Sequence, residues 1–168
     1  GDKVLYNGTV KIFIKADKLL AGDKTAHVIF YGDSNYNNKP IDVVFTVSRV
    51  DPTINVTIAD VTYPDHAVAY VNVSNKANGT VEVYLGNKLI GTADVKNGSA
   101  TVDIDQLAAH NYDVVVKFIT SDEYNNNVQT NAKIVVDQHA TSLDIQRNNL
   151  DVIVTIDPAI AGEVVTVI

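Results

Sequence analysis

The sequence lacks three residue types and is poor in a fourth. It contains no Cys, no Met and no Trp, and Arg occurs only at positions 49 and 147. Without Cys, the chain can form neither a disulfide framework nor a thiolate metal site. Its two Arg and its net charge of −7 argue against a nucleic-acid partner, which needs clustered Lys and Arg. No apolar run reaches the roughly 18 residues of a membrane-spanning helix, so we expect neither a nucleic-acid partner nor a membrane span in this segment.

The apolar residues that are present favour an all-β fold. Hydrophobic residues make up 46% of the 168 positions, and Val (27) and Ile (15) greatly outnumber Leu (8). β-branched side chains fit pleated strands and lose rotamer freedom in helices. The chain begins Gly1-Asp2-Lys3 without Met, so we expect a processed or excerpted piece of a longer protein.

Alternation of apolar and polar residues predicts seven short strands between residues 51 and 137. Asn-Gly and Gly-Asn pairs mark tight turns between several of them, and a single helical turn is expected at Gln106–Ala109. The predicted strands are 53–58, 67–73, 80–85, 88–95, 99–104, 112–119 and 130–136. Seven strands in about 90 residues are typical of an immunoglobulin-like (Ig-like) sandwich.

The chain also repeats itself with a period a little under 90 residues. The segment Phe30–Asn38 reappears as Phe118–Asn126, and Ile54–Val56 reappears as Leu143–Ile145. The repeat predicts three parts: residues 1–50 as the C-terminal half of one Ig-like unit, residues 51–137 as a complete unit, and residues 138–168 as the N-terminal half of the next.

The two ends are predicted to meet at one point of the repeat. Residues 162–168 match 79–85, and residues 1–5 match 86–90, so that tail joined to head would give a seamless pair of units. Two mechanisms would explain why the chain begins and ends at the same point of the repeat. The chain is an excerpt of a giant tandem array, or it is a subunit that polymerises head to tail by strand complementation.

The motifs around the predicted central strand carry a family resemblance. Leu107–Phe118 followed by Asp122-Glu123-Tyr124, and Tyr31-Gly32-Asp33-Ser34-Asn35-Tyr36 in the first unit, resemble the Ig-like repeats of bacterial and archaeal cell-surface proteins. The closest likeness is to the adhesin-like proteins of methanogenic archaea. The resemblance implies tandem Ig-like sandwiches and an extracellular, cell-surface setting, and it implies no catalytic site.

Residues with catalytic or metal-binding chemistry are scattered. The four His side chains, which we interpret as surface or edge residues, are His27, His66, His110 and His139. None has metal-ligand spacing, and no catalytic motif is present. We therefore predict no enzyme, no catalytic residue, no cofactor and no metal.

Calcium is the one ion for which the loops offer oxygen ligands. The candidate residues are Asp33, Asn35, Asp122 and Glu123. The alternative is ordinary turn chemistry, in which Asp and Asn accept hydrogen bonds from their own backbone, and it is the reading we favour.

Five Asn-x-Ser/Thr sequons are candidate N-glycosylation sites. They are Asn7, Asn55, Asn72, Asn78 and Asn97. Three of them lie in Asn-Gly turns, where turn formation alone explains the Asn, whereas Asn55 and Asn72 lie within predicted strands on the outward side.

Together these patterns predict an extracellular structural or adhesive repeat protein, which forms a surface stalk, filament or sheath. Its main partner would be itself, as a tandem array or a homopolymer, with a host or cell-surface glycan or protein as a further partner. The alternative is a ligand- or glycan-binding module of an adhesin, for which Tyr63 in the 59–66 loop is the only aromatic candidate.

Overall fold

The computed structural model describes residues 3–15, 19–159, 161–166 and 168, and the regular secondary structure in this part of the chain is all β-strand. It holds no helix of the length and hydrophobicity that crossing a membrane requires. The strands are β1 (Gly22–Phe30), β2 (Lys39–Val47), β3 (Ile54–Ile58), β4 (Val61–Thr62), β5 (Val68–Val73), β6 (Gly79–Leu85), β7 (Lys88–Val95), β8 (Ser99–Asp103), β9 (His110–Thr120), β10 (Val128–Asp137), β11 (Ser142–Asn148) and β12 (Asp151–Asp157).

Strands β3 to β10 form a sandwich of two sheets. One sheet has five strands in the order β4-β10-β9-β6-β7, and the other has three in the order β3-β5-β8. All neighbours are antiparallel except β4, which runs parallel to β10. The all-β, Ig-like sandwich predicted from the sequence is therefore present over this part of the chain.

The hydrophobic core lies between these two sheets. Alternate side chains of each strand point inward, because successive residues of a strand face opposite sides of the sheet. Phe118 is the largest fully buried side chain, and it packs in one cluster with Val residues of both sheets. The cluster consists of Ala67, Ala69, Val71, Val73, Ala77, Val81, Val83, Ile90, Val95, Val102, Ile104, Val114, Val116, Phe118, Ile134 and Val136.

All seven strands predicted within residues 51–137 are present, with ends that differ by at most two residues. Two details differ. The prediction of a helical turn at Gln106–Ala109 is wrong, because this segment is irregular. The Ala108 carbonyl instead accepts a hydrogen bond from the Tyr112 hydroxyl. Strand β4 was not predicted, because two residues are too few to show alternation.

Two hairpins flank the sandwich in the sequence. Strand β1 pairs with β2, and β11 pairs with β12, and neither hairpin joins a larger sheet among the described residues. Each hairpin has an apolar face that no core covers. Val28 and Phe30 in β1 are 37% and 40% exposed, and Val152 in β12 is 53% exposed.

Strand pairing in the N-terminal hairpin has the same register as β9–β10 of the sandwich. The offset between matching residues is 88 on the first strand and 89 on the second. The matching pairs are Ala26–Val43 with Val114–Ala132, and Val28–Ile41 with Val116–Thr130. Val28 and Phe30, which are exposed on β1, thus occupy the positions of Val116 and Phe118, which are buried on β9.

The C-terminal hairpin matches β3–β5 in the same way. Here the offset is 89 on the first strand and 83 on the second. The matching pairs are Leu143–Ile156 with Ile54–Val73, and Ile145–Val154 with Val56–Val71.

A turn near the N-terminus tests the predicted match of residues 1–5 with residues 86–90. Residues 6–9 and 96–99 are closed by the same reciprocal backbone hydrogen bonds, and both turns have Asn-Gly at their centre with positive φ angles. This geometry aligns residues 1–5 with 91–95 rather than with 86–90. The seamless join predicted above therefore gains no support here, and its residues Gly1, Asp2 and Val167 lie outside the described residues.

Phe118 and its counterpart Phe30 provide a matched pair for testing where the core lies. Phe118→Ala should lower the free energy of unfolding of the sandwich by about 3–5 kcal/mol, because it removes a fully buried ring. Phe30→Ala should change it by less than about 0.5 kcal/mol, because Phe30 lies outside the core. Urea unfolding of the dilute chain measures both, and equal losses would contradict this assignment.

Candidate functional site

The loop between β9 and β10 is organised by one carboxylate. Asp122 Oδ1 accepts hydrogen bonds from the backbone N–H groups of Tyr124 (2.9 Å) and Asn125 (2.8 Å). Its Oδ2 accepts from the Asn125 side chain at 3.0 Å and from the Asn78 backbone N–H at 3.2 Å. Asp readily forms such a turn because its short side chain reaches the backbone two and three residues on.

These hydrogen bonds shift the acidity of Asp122. Partial burial raises the pKa of the carboxyl group, but the bonds from the Asn125 side chain and from three backbone N–H groups outweigh burial and lower the pKa to about 2. The bonds are made to the charged form and therefore favour it. Asp122 is thus an ionised group that stabilises the fold of its own loop.

The same loop receives the chain that leads into the sandwich. Val50 donates its N–H to the Tyr124 carbonyl and accepts from the Asn126 N–H, each at 2.9 Å. Asn126 Nδ2 donates to Asp51 at 2.8 Å. We call this contact between residues 49–51 and the 121–127 loop the linker joint.

Asn125 lies at the centre of the linker joint. It is 2% exposed and is the one buried polar residue found among the described residues. Its side chain binds Asp122 and accepts from Asn75 at 3.3 Å, and its carbonyl accepts from Arg49 at 3.4 Å. A buried amide with its hydrogen bonds satisfied fixes one geometry, because any other leaves polar groups without partners.

The counterpart loop after β1 contains the same turn. Asp33 Oδ1 accepts from the N–H groups of Asn35 (2.7 Å) and Tyr36 (2.9 Å). Asp33 and Asp122 therefore both accept hydrogen bonds from the backbone of their own loops, as predicted for ordinary turn chemistry. Among the described residues, no group of three or more His, Asp or Glu side chains is placed to hold a metal ion. The calcium candidates fall in two loops, with Asp33 and Asn35 after β1 and Asp122 and Glu123 after β9.

The sequon residues fall into two groups. Asn55 and Asn72 are paired across β3 and β5 on the exposed outer face of the three-stranded sheet. Asn78 and Asn97 lie together at one end of the sandwich, where Asn78 Oδ1 accepts the Asn97 N–H at 3.1 Å. Asn7 lies in the matching turn near the N-terminus. The Asn78 side chain thus stabilises the 96–99 turn, whereas the Asn55 side chain lies on the exposed face of the sheet.

The remaining candidates lie apart from one another. The side chains of His27, His66, His110 and His139 are all exposed, as predicted for surface residues. Tyr63 is exposed at the start of a loop that is held to the sandwich, because its N–H binds the Asp137 carbonyl at 2.9 Å and β4 pairs with β10. The 59–66 loop thus forms part of the sandwich edge.

A family model described as TcfC, E-set like domain, matches residues 69–135. The match runs from β5 to β10 and supports an Ig-like sandwich. No curated protein matches the sequence. The likeness to adhesin-like surface proteins thus stays a prediction.

Sequence reasoning missed the linker joint. The Asp51-Pro52 pair indicates a linker, and the run of Asn at 125–127 indicates a loop, but neither pattern predicts that the two segments meet. The available signal was the repeated Tyr-Asn-Asn at 36–38 and 124–126. A repeated Asn pair beside a capping Asp indicates a specific contact, because a merely solvated loop tolerates other polar residues there.

The shifted acidity of Asp122 predicts a pH-dependent contribution to stability. A carboxyl group with a lowered pKa stabilises the fold fully above its ordinary value of 3.8 and loses that effect as the pH falls towards 2. Asp122→Ala should lower the free energy of unfolding by about 1–2 kcal/mol at pH 6, and the difference from the wild type should shrink between pH 5 and pH 2. Urea unfolding across this range measures it.

Asp33→Ala is the matched control, because Asp33 caps the counterpart loop outside the sandwich. It should leave the unfolding of the sandwich unchanged at every pH. A constant difference between Asp122→Ala and the wild type from pH 6 to pH 2 would contradict the assigned role of the Asp122 charge.

Proposed function

We propose that this chain is part of an extracellular structural array, in which Ig-like sandwiches follow one another as a surface stalk, filament or sheath. The observation that carries the proposal is the shared register of strand pairing. The β1–β2 hairpin repeats β9–β10, and the β11–β12 hairpin repeats β3–β5, through every matching pair. Parts of three consecutive units, a half, a whole and a half, would account for this agreement.

The linker joint supports a mechanical role. It attaches residues 49–51, at the boundary between the first part of the chain and the complete unit, to a loop of the complete unit through backbone and side-chain hydrogen bonds. A linker held in this way has less freedom than a solvated one, and in an array this would restrict the angle between neighbouring units. Long-range order in an array then follows from repeating one joint.

The surface of the sandwich suits a protein that stays dispersed in solvent. The chain carries a net charge of −7, and the outer face of the three-stranded sheet presents Asn, Thr and Ser side chains with the exposed ring of Tyr70. Charge and polar side chains on the outer faces resist lateral aggregation of sheets.

Any N-linked glycan should lie on this polar face. We expect occupancy at Asn55 or Asn72, where the side chains point into solvent, and none at Asn78, because its amide caps the 96–99 turn. Glycopeptide analysis of native material measures the occupancy of each site. An intact mass equal to that of the bare sequence would contradict glycosylation altogether.

The alternative, a glycan- or ligand-binding module, needs an aromatic cluster on one loop. Tyr63 would have to carry it, and its loop is engaged in the edge of the sandwich. The aromatic pair found among the described residues, His110 and Tyr112 with ring centroids 5.3 Å apart, lies on β9 rather than in that loop. We therefore favour the structural role.

Negative-stain imaging of native material, combined with immunogold labelling of intact cells, tests the proposed function. We expect filaments or rods that repeat at the length of one sandwich and label at the cell surface. Monodisperse single sandwiches, or label confined to the cell interior, would contradict it. The mass of the same sample separates a giant covalent chain from units of 18.2 kDa.

A further inference from the structure

One edge of the β1–β2 hairpin is open. Strand β1 pairs only with β2 among the described residues, so the backbone groups along its other side have no strand partner. Val28 and Phe30 expose apolar surface beside this edge. An exposed strand edge with apolar side chains is a template for pairing with another segment.

The complete unit contains the partner that such an edge takes. Strand β9, the counterpart of β1, pairs with β10 on one side and with β6 on the other. In that second pairing, Val81 lies opposite Phe118 and Glu82 lies opposite Lys117. The interface between β6 and β9 therefore shows what covers an edge of this kind.

The chain also contains a counterpart of β6, and its described residues pair with no strand. Residues 162–168 match 79–85 in sequence, yet the described residues of this segment form no strand, and Val164 is 88% exposed. Its counterpart Val81 is fully buried.

Gly79 and its counterpart Gly162 also indicate that the 162–166 segment lacks a contact that β6 makes. A Cβ atom on Gly79, at the start of β6, would lie 2.1 Å from the Ile119 carbonyl oxygen of β9, so only Gly permits that approach. Gly162 stands at the matching position, but a Cβ atom there would meet no atom within 4 Å. The segment thus has the small residue that docking on a β9-like edge requires, and no such edge beside it.

We propose that residues 162–166 of a second copy of this chain add as a strand to the open edge of β1, as β6 adds to β9. In this pairing Val164 of one copy lies opposite Phe30 of the next, and Val165 lies opposite Ile29. The β11–β12 hairpin of the second copy then covers the apolar face of β1–β2, as β3–β5 covers β9–β10 in the complete unit. This inference deepens the proposed array and rests on it, because it uses the same repeat.

Cross-linking between two single-Cys variants tests the register, since the native chain has no Cys to interfere. Ile29 and Val165 match Lys117 and Glu82, which lie opposite each other on the outer face, so Cys at these positions leaves the proposed interior intact. Mixing Ile29→Cys with Val165→Cys under mild oxidation should give a disulfide-linked dimer of one copy of each. Neither variant alone should cross-link at the same concentration.

Thr25→Cys mixed with Val165→Cys is the matched control. Thr25 lies on the same face of β1 as Ile29 but four residues away, which is beyond the reach of a disulfide. Equal cross-linking of Thr25→Cys, or cross-linking of either variant alone, would overturn the proposed pairing, as would the absence of any cross-link.

A second measurement uses charged substitutions and sedimentation of the full chain. Val164→Glu and Val28→Lys place charge on the inner face and should weaken self-association at least tenfold. Val165→Glu and Ile29→Lys place on the outer face the residues that the complete unit has there, and should weaken it less than threefold. A wild-type chain that stays monomeric at all concentrations, or equal effects on both faces, would overturn the inference.

The two proposals fail separately. If native material forms arrays but the cross-link does not form, the array stands and this strand pairing is wrong. If the cross-link forms but native cells carry no array, the pairing stands as a property of the chain and the proposed function is wrong.

Discussion

A β-sheet with one apolar face must bury that face against a second layer, and the structure depends on where this condition is met. Within the part of the chain that the structure describes, it is met in the sandwich of β3 to β10, where both sheets contribute to one core of sixteen buried apolar residues. The flanking hairpins have the same pattern of side chains, but the described chain gives them no second layer. The contrast between Phe118, which is fully buried, and Phe30, which is 40% exposed, follows from the partner and not from the local sequence.

The linker joint holds two segments together through hydrogen bonds, whereas the core holds two sheets together through apolar packing. Asp122 folds its loop by accepting backbone N–H groups, and the folded loop then offers a carbonyl and an N–H to Val50. The backbone contact and the side-chain contact from Asn126 to Asp51 are both short, directional hydrogen bonds. Asn125 links the two parts, since its buried side chain binds Asp122 of the loop and its carbonyl accepts from Arg49 of the linker.

Alternation in the sequence was sufficient to predict the seven main strands and their inward faces, because strand pleating has a period of two that side-chain polarity must follow. It was not sufficient for β4 or for the linker joint. The contact between Arg49 and Asn125 spans 76 residues, and no local pattern encodes such a pairing. The helical turn at Gln106–Ala109 failed for a related reason. The neighbouring Asp105 N–H binds the Ile90 carbonyl at 2.7 Å, and tertiary hydrogen bonds of this kind override helix propensity.

Charge and apolar surface act in different directions in the proposed assembly. The contact between residues 162–166 of one copy and β1 of the next joins two different surfaces, so it is head to tail, and each added copy presents a new open edge. The net charge of −7 acts between neighbouring assemblies at distances within the Debye length and opposes their lateral contact. Apolar burial at the strand edge, which is short in range and directional through its backbone hydrogen bonds, is not prevented by this repulsion. In the proposed assembly, growth along one axis is therefore favoured over sheet-like aggregation. An open strand edge promotes aggregation in an isolated domain, whereas here it would bind the next copy and extend the array.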